Sequence, residues 1–99
     1  MIDDAIQIQA AGVTLTTGAA STNSAIPNTA SGTRPNYARI QSTAFCFVKF
    51  GAAGVTATSN DILLSPNESE IYKVSGNTYI AGIQQAAAGL LNVTPLEDL

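Results

Sequence analysis

Asp61, Glu68 and Glu70 are the side chains in this sequence best spaced to do chemistry, with two glutamates two positions apart and an aspartate seven residues before the first of them. Such a trio could form a weak calcium site or an acid pair of the glycosidase kind. The bland reading is preferred. Asp61 follows Asn60 in a turn, where short polar side chains bond the local backbone, and glutamates at strand ends are solvated. The chain has no histidine and one cysteine, Cys46, so zinc sites built from several Cys or His ligands are excluded, and a Ser or Cys nucleophile has no imidazole partner. Gly51-Ala52-Ala53-Gly54 leads into no helix and has no dipole to offer a phosphate. Asn67-Glu68-Ser69 and Asn92-Val93-Thr94 have the spacing of glycosylation acceptors and are read as chance, for lack of a secretion signal. The expectation is a chain that is not an enzyme, with no catalytic residue, metal or cofactor.

The element that must position everything else is Tyr37 to Gly51, the longest stretch of high β-propensity, bounded by Pro35 and Gly51. Strand alternation puts Cys46, Val48 and Phe50 on one side and Phe45, Phe47 and Lys49 on the other. Cys46 reads as a small buried hydrophobe. Because the second side also carries bulk, the alternation predicts that it too is covered, by another layer or another chain. All six aromatics sit at strand periodicity, so core or interface filling is expected of them rather than sugar stacking.

Charged residues are 11% of the 99, less than half of the usual share of about 25%. Threonine, serine, asparagine and alanine replace them, giving a neutral surface suited to lying against a neighbour. A net charge of −3, with the cations Arg34, Arg39, Lys49 and Lys73 scattered, makes no basic stripe, and nucleic acid is not expected as a partner. No run approaches the roughly 18 apolar residues of a membrane helix. The first ten residues have two acids and no basic start, unlike a signal peptide.

Residues 1–99 read as one domain, with 1–5 a flexible arm and 19–36 a long loop anchored only by Ile26. Alternation predicts short strands at Ile6 to Ala10 and Val13 to Thr17 with a bend at Gly12, then at Tyr37 to Thr43, Phe45 to Phe50, Val55 to Thr58 and Ile62 to Leu64. Glu70 to Val74 and Thr78 to Ile83 read as a hairpin around Ser75-Gly76-Asn77. Gln84 to Gly89 is a loop or one helical turn, and Leu90 to Thr94 is the last strand. About eight short strands at even spacing predict an all-β fold, a single antiparallel β-sandwich of jelly-roll type.

The second half carries Val48-Lys49-Phe50-Gly51, Val55-Thr56-Ala57-Thr58, Asp61-Ile62-Leu63-Leu64 before Pro66, Thr78-Tyr79-Ile80-Ala81 and Leu91-Asn92-Val93-Thr94-Pro95. In order and spacing these pieces resemble a type of small virion protein encoded by tailed bacteriophages. The resemblance implies a β-rich particle component, such as a head decoration or cement subunit, and brings no catalytic residues. On that expectation the partners are the major capsid protein or other virion subunits and further copies of the chain, with a trimer expected. The location is then the phage particle, after synthesis in the host cytoplasm. The interface is expected at Phe45 and Phe47, at Ile2 and Asp3 in the arm, and at Ile26. The alternatives are a tail, neck or fibre accessory subunit and, in another class, a carbohydrate-binding β-sandwich using Tyr37, Tyr72 or Tyr79 on one concave patch.

Overall fold

A computed structural model describes residues 6–7, 12–29 and 31–98, so the expected arm at 1–5, with Ile2 and Asp3, lies outside the described residues. The described chain is all-β with no helix. Its strands are β1 (Ile6–Gln7), β2 (Val13–Thr17), β3 (Thr22–Ala25), β4 (Tyr37–Ser42), β5 (Cys46–Gly51), β6 (Ile62–Leu64), β7 (Glu70–Lys73), β8 (Tyr79–Gln84) and β9 (Gly89–Asp98). Gly12, where a bend is expected, stands just before β2, and a Cβ there would collide with the Val93 carbonyl.

Two antiparallel sheets form. In the first, β9 is central: β2 and β1 pair along one of its edges, β4 along the other, and β7 closes the far side of β4. The second runs β3-β8-β5-β6. Four pairings are nested, β5 with β6, β4 with β7, β3 with β8 and β2 with β9, as if one long hairpin had been folded at residues 52–61. Rolling that hairpin so that β4 meets β9 and β5 meets β8 gives the jelly-roll order of the two sheets.

The inward side chains make one core. Leu15, Ala38, Ile40, Leu91 and Val93 come from the first sheet and Cys46, Val48, Leu64 and Ile80 from the second, joined by Ile26 and Val74. Gly82 lets the sheets close together, because a Cβ there would stand 3.0 Å from a Leu91 methyl. Phe50 points inward as expected but is half-buried at the margin of the core, with its ring 5.8 Å from that of Tyr72.

Four expectations need correcting. The last strand does not end at Thr94: Pro95 and Leu96 pair with Ala38 and Tyr37 of β4, and β9 runs on to Asp98. The segments around Ser75-Gly76-Asn77 are not a hairpin: β7 pairs with β4 and β8 with β5 and β3, so the turn carries the chain from one sheet to the other. It is a real turn, with Asn77 N donating to Val74 O at 2.9 Å and Gly76 at φ +85°, but Val74 N is taken by Asn36 O, on the β4 side. Val55 to Thr58 is no strand despite its β-branched residues; the Ser21 hydroxyl accepts from Ala57 N and the Asp61 carboxylate from Thr58 N. Residues 19–36 are not all loop. Thr22–Ala25 is an edge strand on β8, and around Thr29 the chain folds on itself, with Thr29 N donating to Thr33 O at 2.9 Å and the two hydroxyls 2.8 Å apart.

Candidate interaction surfaces

The carboxylates do not converge. Asp61 holds its own turn, accepting from Thr58 N at 2.7 Å and from the Thr58 hydroxyl at 3.2 Å. Glu70 accepts the Tyr72 hydroxyl at 3.1 Å, and Glu68 is exposed in the preceding turn. Among the described residues, no three Asp, Glu, Cys or His side chains group as metal ligands would. Burial of Cys46 pushes its thiol pKa up. The Ser42 hydroxyl is itself buried and makes no hydrogen bond, so the pair is a polar spot inside an apolar core.

The tyrosines are divided among three surfaces. Tyr37 lies on the outer side of β4, Tyr72 points inward against Phe50, and Tyr79 lies on the outer side of β8. They share no concave patch, which is the condition a sugar platform built on them requires. Burial and the Glu70 carboxylate raise the Tyr72 phenol above its ordinary pKa.

Each sheet has an outer face, and the two faces differ in chemistry. On the second sheet, Phe47 stands opposite Ile83 on one side and Leu63 on the other, making an apolar row across three strands. Strand alternation puts Phe45 on the same side just before β5, and Phe45 and Leu63 are 45% and 46% exposed. This is the bulky second side expected of Phe45 and Phe47, and no other part of the described chain covers it. Ile26, also expected at the interface, is 2% exposed and belongs to the core instead, because β3 draws the chain in and Ile26 N donates to Thr78 O at 2.8 Å.

The outer face of the first sheet exposes Ile71 and Leu90, and its polar side chains bond to one another. Arg39 Nη2 donates to Gln41 Oε1 at 3.0 Å and to Ser69 Oγ at 2.8 Å, and Ser69 Oγ donates to the same Gln41 oxygen at 3.0 Å. On β9, Thr94 Oγ1 donates to Asn92 Oδ1 at 2.9 Å and Asn92 Nδ2 donates to Thr14 Oγ1 at 3.2 Å. Between these groups is an open hollow of about 250 Å³ lined by Thr14, Gln41, Ser42, Thr43, Leu90 and Asn92. Sequence reasoning did not find it, since its lining comes from three strands far apart in the chain.

Comparison with family models, with curated proteins and with solved structures finds no match to this chain.

Proposed function

We propose that this chain is a structural subunit of a tailed-phage particle, a decoration or cement subunit that clamps neighbouring capsid subunits and itself assembles as a symmetric oligomer, with a trimer the expected state. The observation that carries the reading is the apolar row of Ile83, Phe47 and Leu63 with Phe45 beside it, on an outer sheet face where a free-standing sandwich would present polar side chains. The low charge supports it, because a neutral surface permits many weak contacts and many weak contacts hold firmly when repeated. The resemblance of residues 38–95 to small virion proteins points the same way. A jelly roll is compatible with this role, though the same fold serves lectins and enzymes and carries no function by itself.

The role implies no catalysis and no cofactor; the partners are the major capsid protein or other virion subunits, and the protein ends in the particle after synthesis in the host cytoplasm. The test is a copy count in purified particles by mass spectrometry, with a cryo-EM map. Occupancy on the scale of the head lattice is the expected result. A handful of copies at a neck, tail or fibre would move the protein to an accessory role there, and absence from particles would end the virion reading.

A further inference from the structure

The hollow on the first sheet has a directional character that follows from its hydrogen bonds. An arginine can only donate, so the Gln41 oxygen must be the atom facing Arg39 and Ser69, and it accepts from both. Neither Arg39 nor Ser69 lines the hollow, whereas Gln41 does, so the two N–H groups of its amide are left on the hollow's side. Thr43 Oγ1 accepts from Leu90 N at 2.9 Å, which is a backbone donor and fixes the direction; its own O–H is free to point outward. Asn92 Oδ1 is occupied by Thr94, and Thr14 Oγ1 already accepts from Asn92 Nδ2. Gln41 Oε1 thus has both lone pairs taken and Asn92 Oδ1 and Thr14 Oγ1 one each, while the N–H groups of Gln41 and the hydroxyl hydrogens of Thr14 and Thr43 are left as the hollow's donors.

Charge favours the same ligand. Among the described residues no carboxylate lines the hollow, and the Arg39 guanidinium stands directly behind Gln41, held by neutral oxygens. Leu90, 48% exposed, supplies one apolar wall. The Ser42 hydroxyl contributes nothing here, because alternation turns it inward toward Cys46.

We propose that this hollow binds a carboxylate attached to a short aliphatic chain, with the Gln41 amide and Thr43 hydroxyl donating to the carboxylate and Leu90 packing on the chain. A fixed array of donors needs little ordering when the ligand arrives, and hydrogen bonds to an ionised acceptor are stronger than neutral ones. The site does not depend on the virion reading. The carboxylate could belong to a free small acid or to the end of a peptide.

The test uses the whole chain, labelled with 15N, and follows the side-chain amides of Gln41 and Asn92 by NMR. The probes are sodium 4-methylpentanoate, N-acetyl-leucine as the peptide-end mimic, 4-methylpentanamide, methyl glucoside and sodium chloride at matched ionic strength. Saturable shifts of both amides with either acid, and none with chloride, are the expected result; the tighter of the two acids identifies the source. Gln41→Glu turns the inward donors into an acceptor while giving Arg39 an ion pair, so it keeps the fold and should weaken binding at least about tenfold, the worth of one charge-assisted hydrogen bond. Leu90→Ala should weaken 4-methylpentanoate but leave sodium acetate, added as a further probe without the aliphatic chain, unchanged. Equal binding of the acid and its amide, preference for the glucoside, or full binding by Gln41→Glu would each overturn the proposal.

Discussion

The hydroxyl of Thr17 satisfies both backbone groups of Gly89: it accepts from Gly89 N at 3.0 Å and donates to Gly89 O at 3.2 Å, joining residues 72 positions apart. Gly89 has no room for a side chain, since a Cβ would lie 2.8 Å from that of Ala44 and 2.9 Å from the Thr43 hydroxyl. The pair therefore closes β2 onto the start of β9 through a side chain. Thr17→Val keeps the shape and removes the hydroxyl, leaving Gly89 only its backbone pairing with Thr17 in the β2–β9 ladder. The expected loss is about 0.5–1.5 kcal/mol, read as a lower midpoint in denaturant with an unchanged slope. An unchanged midpoint would show that water or backbone shifts replace the hydroxyl.

Ser42 presents the opposite case, a buried hydroxyl with no hydrogen bond. Ser42→Ala should be neutral or stabilising, because the desolvation cost disappears with the group. A fall of several degrees in Tm would show instead that its approach to the Cys46 thiol holds the core together.

Cys46 should not react with a thiol reagent in the native protein and should react fully once the chain is unfolded. Burial both blocks access and raises the thiol pKa. Fast labelling under native conditions would contradict the packing of β5.

The outer face of the second sheet and the core should separate in mutants. Phe45→Ser and Leu63→Ser remove exposed bulk and should change stability by no more than about 0.5 kcal/mol, whereas Leu91→Ala, in the core, should cost about 2–5 kcal/mol. If the outer row is an interface, the serine variants lose self-association or particle binding while their melts stay normal. Loss of folding in the serine variants would move the row into the core.

Stability should also fall in alkali. The Tyr72 phenol has a raised pKa in the folded state, so its contribution is complete below the ordinary value of 10 and is lost as the pH rises through the folded one. Tm should drop less steeply above pH 10 in Tyr72→Phe than in the wild type. Parallel curves for the two proteins would assign the drop to other groups.

The strands themselves were legible where, as in β4, the buried Ala38, Ile40 and Ser42 alternate with the half-buried Tyr37, Arg39 and Gln41, and alternation is a local property. Partners were less so. Ser75-Gly76-Asn77 has the chemistry of a turn, but nothing in those residues says whether the chain returns to the same sheet or crosses to the other; that was decided by Asn36 and β4, which claim β7. Thr22 to Ala25 has little strand signal of its own and becomes a strand because β8 offers it an edge. The hollow could not be foreseen at all, since Thr14, Gln41 and Leu90 meet only through the register of β9 between β2 and β4.

That register has a consequence for synthesis. β9 is the central strand of the first sheet, yet of all the strands it is the last to leave the ribosome. Until it emerges, β2 and β4 have nothing between them, and Leu15 and Ile40 remain without Leu91 and Val93. The second sheet can pair β5, β6 and β8 on the nascent chain, while the first must wait until translation has passed the final strand. During that interval a half-built sandwich shows its inner face, so the time between the emergence of β8 and that of β9 is when this chain is most open to capture by a chaperone or to pairing with another unfinished copy.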